Sequence, residues 1–237
     1  MLDTTNRVIM VSGANRGLGN AIARQLHADG YTVSAGGRDP DELAGSLDDC
    51  AGDRLLCSRY DALEPGTDTA WVDATIEQFG RIDGVVNNAG IIDRASFEEL
   101  DDEILDRLWA VNVKAPLRLT QLAMKQLRAS GSGRVVNVAS LSGVRVKSTF
   151  APGYEMSKHA VIALTEATKQ AGWDDGIRVT ALCPGFVATD MTSDFDEDPE
   201  TMIDADDLAV MVSTTMTLPN TAQVAQLNVS CRLEPHL

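Results

Sequence analysis

An α/β fold, a doubly wound parallel sheet with helices on both faces, is what this sequence predicts, and three observations predict it. Short apolar runs suited to buried strands recur along the chain, amphipathic stretches at helical spacing separate them, and the links between them are short. Right-handed crossovers then place every strand-to-helix turn at one sheet edge, where ligands bind. At 237 residues with 44% hydrophobic content, the chain can bury a large core. No repeat, low-complexity tract or long linker divides it, so residues 1–237 are expected to form a single domain.

Residues 8–11 read as the first buried strand and run into Ser12-Gly13-Ala14-Asn15-Arg16-Gly17-Leu18-Gly19. Leu18, Ile22 and Leu26 continue at helical spacing to a stop at Gly30. Residues 31–35 form the second strand, ending at Gly36-Gly37-Arg38, and Asp39 before proline caps the next helix. Residues 55–60 are a third strand with Asp61 at its end; Val72, Ile76 and Phe79 mark a helix stopping at Gly80. A fourth strand, 82–86, leads to Asn87-Asn88-Ala89-Gly90. Asp101 caps a helix carrying Ile104, Leu108 and Val111 on one side, and Asn112, a mediocre helix former, sits inside that region. Leu119, Leu122, Ala123 and Leu127 mark the following helix. Residues 135–139 and 177–182 are strands five and six, delivering Ser140 and Cys183-Pro184-Gly185-Phe186-Val187-Ala188-Thr189. Residues 194–207 hold eight acidic side chains and no basic one, which predicts a mobile solvated loop before a last helix at about 204–216. Residues 225–231 alternate apolar and polar, the pattern of a half-exposed edge strand.

The net charge of −15 argues against a nucleic-acid or anionic-membrane partner, because either would repel the chain. Cys50, Cys57, Cys183 and Cys231 form no C-x-x-C pair, so free thiols and no metal are expected. The N-terminal residues hold no long apolar run, and no run approaches about 18 residues. A soluble cytoplasmic protein is the expectation.

Two stretches point to chemistry. Strand, glycine turn and helix at 8–26 form the context of a dinucleotide loop: glycines let the backbone approach a pyrophosphate, whose charge the helix N-terminus meets. The spacing is G-x-x-x-G-x-G. At the end of the second strand, where an acid would select NAD, stands Arg38, with Arg16 available from the loop. Two guanidinium groups suit a 2′-phosphate, so NADP(H) is favoured over NAD(H). In the second stretch, Tyr154 and Lys158 are spaced i,i+4 and share a face if helical. A free phenol has a pKa of about 10, and a nearby cation lowers it, making the pair a tuned proton donor or acceptor.

Taken together, SGANRGLG at 12–19, NNAG at 87–90, Asn112 in AVNVKAP, Ser140 after VVNVA, YEMSK at 154–158 and PGFVATDM at 184–191 resemble the short-chain dehydrogenase/reductase family. The likeness runs from Val8 to about Val229. It implies a seven-stranded Rossmann sheet, assembled as a homodimer or homotetramer. It implies that Tyr154 is the general acid/base, that Lys158 holds the nicotinamide ribose and lowers the tyrosine pKa, and that Ser140 bonds the substrate oxygen. Asn112 would anchor a water in the proton relay. Gly13, Gly17 and Gly19, with Asn15 and Leu18 in the same loop, would cradle the pyrophosphate, and Arg16 and Arg38 the 2′-phosphate. Asp61 would meet the adenine; Asn88, Ala89 and Gly90 would line the ribose; Pro184, Gly185, Val187 and Thr189 would seat the nicotinamide. Ser142 competes with Ser140, which follows the strand directly and matches the motif.

Three departures stand out: Ser12 where threonine is usual, Gly36-Gly37 leaving the 2′-phosphate site without bulk, and no glycine-rich C-terminal ending. The expected reaction is hydride transfer between the nicotinamide and a carbonyl or secondary alcohol. The substrate pocket is expected between parts of 141–153 and a lid near 190–203, with Val144, Phe150, Met191, Phe195 and Met202 as walls. The acidic lid favours a small neutral or cationic substrate over a carrier-bound acyl group. The alternatives are an NAD-linked secondary-alcohol or polyol dehydrogenase and a non-catalytic NADP-binding sensor.

Overall fold

A computed structural model describes residues 1–50, 52–146, 151–195 and 198–234. Seven parallel strands form one sheet in the order β3-β2-β1-β4-β5-β6-β7, comprising β1 (Val8–Ser12), β2 (Thr32–Gly37), β3 (Leu55–Arg59), β4 (Gly84–Asn87), β5 (Arg134–Val138), β6 (Arg178–Pro184) and β7 (Gln226–Val229). The strand order reverses between β1 and β4, which opens a crevice at their C-terminal ends. Strand boundaries shift by at most two residues from the expected ones, and every expected strand is present.

Alternate residues of each buried strand feed opposite faces. Ile9 and Val11 join Val33, Ala35, Val86 and Leu182 under α1 (Gly17–Ala28) and α7 (Ala205–Thr217), which supply Ile22, Leu26, Leu208 and Val212. Met10, Val85, Val135 and Val179 face α3 (Thr67–Phe79) and α5 (Ala115–Ala129), through Trp71, Val72, Leu119 and Leu127. Both faces are therefore dry, which accounts for the near-continuous apolar strands.

Helix starts follow the sequence. Asp39 accepts from the backbone N–H of Asp41 and Glu42 and caps α2 (Pro40–Ser46); Asp101 accepts from Ile104 N and caps α4 (Asp102–Trp109). Between α4 and α5, residues Ala110–Lys114 adopt a π turn, and Asn112 lies in it. The long helix α6 (Pro152–Gly172) carries Tyr154 and Lys158 on its first turns.

The acidic segment differs from expectation. Ile203 is buried; its N–H donates to Phe186 O at 2.9 Å, and its carbonyl accepts from Ala188 N at 3.0 Å. One apolar residue thus ties this part of the loop to the chain leaving β6. Among the described residues, no helix is long and apolar enough to cross a membrane.

Candidate active site

The C-terminal ends of all seven strands border one cleft of about 680 Å³. At its floor, β1 delivers Ser12, whose buried hydroxyl accepts the backbone N–H groups of Asn88 and Ala89, both at 3.0 Å. Asn88 returns two bonds, from Nδ2 to Ser12 O at 3.0 Å and to Gly13 O at 3.1 Å. This bracket fixes the glycine turn against the loop after β4. Gly19 has to be glycine here, because a Cβ would fall on Gly13 O and Asn88 Nδ2. Helix α1 then starts with no side-chain cap and no acid in its first turn, leaving its N–H groups and positive end for an anion.

Gly13, Asn15, Arg16, Gly17, Leu18, Gly19, Arg38 and Asp61 all border this end of the cleft. Asn15 is held by Glu42 at 3.2 Å, and Asp61 Oδ1 accepts Leu63 N at 2.9 Å. Arg38 is exposed, with no hydrogen bond or ion pair among the described residues. Arg16 instead reaches across to Asp190, 3.1 Å away. The glycine at 36 has a packing cause. A Cβ there would lie 2.7 Å from the Trp71 ring, so Gly36 makes room for the indole rather than for a ligand.

The other end of the cleft gathers Asn88, Ala89, Gly90, Ser140, Tyr154, Lys158, Pro184, Gly185, Val187 and Thr189. Ser140 ends the strand-to-turn passage after β5, and its Oγ accepts Ser142 N at 3.1 Å. Its hydroxyl also lies close enough to the Tyr154 phenol to favour the phenolate, which singles it out from Ser142. Burial pushes the Tyr154 pKa up to about 12, opposed by the Ser140 hydroxyl. Burial also pulls the Lys158 ammonium down to about 8, and its Nζ donates to Val138 O at 2.8 Å. The ammonium stands 5.6 Å from the Tyr154 ring centroid. Burial outweighs any lowering of the tyrosine by the lysine, whose ammonium donates to a strand carbonyl.

Asn112 is buried and does not border the cleft. Its Oδ1 accepts Ile91 N, while its Nδ2 donates to Ile91 O and Ser157 Oγ, each at 2.9 Å. The side chain is thus spent on tying the loop after β4 to α6, one turn from Tyr154. Of the expected apolar walls, Met191 and Phe195 border the cleft. Val144 packs instead against Ala139, Leu141 and Val161, and Met202 lies away from the cleft. Phe150 falls outside the described residues. Arg145, Phe186, Arg232 and Glu234, not expected from the sequence, also border the cleft with Ser140 and Tyr154.

Residues 7–200 match the family described as short chain dehydrogenase. The chain belongs to this family. Agropine synthesis reductase of Rhizobium rhizogenes is 43% identical over 229 residues, 96% of this chain and 53% of the relative. The chain thus spans about half the length of that reductase. A 3-ketoacyl-(acyl-carrier-protein) reductase from Brucella melitensis, solved with NADH, superposes with a TM-score of 0.88 at 25% identity, over 96% of this chain and 98% of the other. A short chain dehydrogenase from Burkholderia cenocepacia, solved with NADP, gives a TM-score of 0.88 at 28% identity, over 97% and 98%. Oxidoreductase chemistry with a nicotinamide cofactor is thus a property of the family. The uncapped α1 N-terminus, the glycine turn and the two arginines fit such a group.

Proposed function

We propose that the chain is an NADP(H)-dependent reductase of a small carbonyl compound, with residues 1–237 as one nucleotide-binding domain. The observation that carries the reading is the convergence of Ser140, Tyr154 and Lys158 on the inner end of a cleft whose other end offers Arg16, Arg38 and the bare helix N-terminus. The cofactor, when bound, supplies the hydride. Ser140 orients the carbonyl oxygen and donates to it as negative charge develops. Tyr154 donates the proton. The phenol, its pKa raised by burial, is protonated at neutral pH, as a donor to an alkoxide must be. The Lys158 ammonium, still charged at pH 7, then faces the phenolate left behind. Asn112 positions Ile91 and Ser157, and Ser157 in turn donates to Tyr154 O at 2.7 Å.

Arg38 and Arg16 support NADP(H) over NAD(H), with Arg38 carrying more of the preference because Arg16 is shared with Asp190. The acidic segment before α7 supports a neutral or cationic substrate over a carrier-bound one. Leu117 and Leu122 on α5 and Met156 on α6 are exposed, which supports homo-oligomerisation through these helices; sedimentation analysis tests it. The deciding experiment is a spectrophotometric panel of ketones, aldehydes and alcohols with NADPH and NADH, using wild type, Tyr154→Phe and Arg38→Asp. The reading expects carbonyl-dependent NADPH oxidation, its loss in Tyr154→Phe, and a shift towards NADH in Arg38→Asp. Unchanged turnover in Tyr154→Phe refutes the proton-donor role.

A further inference from the structure

Beyond Val229 the chain leaves β7 and crosses the substrate end of the cleft. Ser230 and Arg232 close a tight turn, with Ser230 Oγ donating to Arg232 O at 2.6 Å. The Arg232 guanidinium lies 4.6 Å over the Phe186 ring. Leu233 then points outwards, 90% exposed, whereas the Glu234 side chain is folded in, only 7% exposed. It pairs with Arg145, itself 15% exposed, which follows the turn after Ser140. Arg145 Nη2 and Nε donate to the same Glu234 oxygen at 2.7 and 3.2 Å, and Nη1 donates to Leu141 O at 3.2 Å.

An apolar residue left in water while its acidic neighbour is buried reverses the usual order. Such an arrangement is held by the opposite charge it meets, and removing Arg145 weakens the hold on a carboxylate that is out of water. The pair joins two segments 89 residues apart in sequence, one carrying Ser140 and the other passing Phe186. We propose that the Arg145–Glu234 pair clasps residues 230–234 over the substrate end of the cleft, and that this clasped wall selects which carbonyl compounds reach Tyr154. The clasped segment adds an ion pair and a guanidinium to a cleft also bordered by Phe186, Met191 and Phe195, so it favours compact, hydrogen-bonding carbonyl compounds over long aliphatic ones, whose burial against charge gains nothing.

The proposal rests on the reductase reading, and the test separates the two. Limited trypsin digestion of the whole chain without cofactor or substrate reports on the clasp alone. Cleavage after Arg232 is expected to accelerate at least about tenfold in Arg145→Met, which leaves the cleaved sequence intact. Equal rates overturn the clasp. Kinetics report on selection. In Glu234→Gln the kcat/KM ratio of a long-chain ketone to a compact hydroxylated one is expected to rise about tenfold, through KM rather than kcat. The double charge reversal Arg145→Glu with Glu234→Arg is expected to recover part of the wild-type ratio. A ratio unchanged in Glu234→Gln overturns the selective role even where trypsin supports the clasp. Absence of wild-type turnover on any carbonyl overturns the reductase reading, and selectivity with it, while digestion still judges the clasp.

Discussion

Ser12→Ala removes one oxygen and nothing else, yet it should be among the most damaging single changes in the cleft. The Ser12 side chain is 2% exposed, and its Oγ accepts two backbone N–H groups, from Asn88 and Ala89, at 3.0 Å each. Its own bond to Val86 O, at 3.4 Å, is long and contributes little. Alanine leaves both N–H groups without an acceptor. A buried donor stripped of its partner costs about 1–3 kcal/mol, and the remaining Asn88 bonds to Ser12 O and Gly13 O limit relaxation towards water. The expected loss is about 2–4 kcal/mol. For a chain of this size each kcal/mol lowers Tm by roughly 2–4 °C, so the drop should fall between about 5 and 15 °C. Differential scanning calorimetry and urea titration measure it, and fluorescence titration with NADPH should show weaker binding, because the same bracket sets the glycine turn. Ser12→Thr keeps the oxygen and should stay within about 1 kcal/mol of wild type. A Ser12→Ala protein with unaltered Tm and cofactor affinity refutes the reasoning.

Lys158→Met should change the pH dependence of stability. The Lys158 pKa falls from 10.5 to about 8 on folding, so below pH 8 the folded state carries a buried cation at a cost of roughly 3 kcal/mol, relieved as pH rises from 8 to 10.5. The variant's urea midpoint, measured relative to wild type, should be higher at pH 7 than at pH 10. Gly143→Ala puts a Cβ 2.5 Å from Lys158 O; pushing α6 off the Ser140 turn should cost about 1–3 kcal/mol and lower kcat more than cofactor affinity. Asp190→Asn frees Arg16 from an exposed ion pair worth up to about 1 kcal/mol, so NADPH should bind about two- to fivefold tighter and NADH no differently. Equal gains for both cofactors in equilibrium titrations would place Arg16 away from the 2′-phosphate.

Much of this architecture is legible in the sequence because it is local. Buried strands show as apolar runs, and Asp39 and Asp101 announce helix starts through proximity to the N–H groups they cap. Asn112 is visible as an oddity in a helical stretch, and the π turn with its three bonds supplies the reason. What the sequence hides is set by partners far away. Arg145 and Glu234 meet across 89 residues, and neither carries a local signal of burial. The pKa values of Tyr154 and Lys158 follow from desolvation, which spacing on a helix does not report. Gly36 reads as a feature of the phosphate site until Trp71 is seen lying on it.

That last contact has an optical consequence. Trp71 is 1% exposed, its Nε1–H bonded to Ser34 Oγ at 2.8 Å, and its ring centroid stands 5.0 Å from that of Tyr60, which borders the cleft beside Asp61. Trp173, by contrast, is 43% exposed. The bare backbone at Gly36 thus seats a rigid, water-shielded chromophore one side chain away from where a dinucleotide would rest. Its emission should lie to the blue of an exposed indole and dim as reduced nicotinamide, which absorbs in that range, enters the cleft. The protein carries its own gauge of occupancy, readable without a label and without turnover.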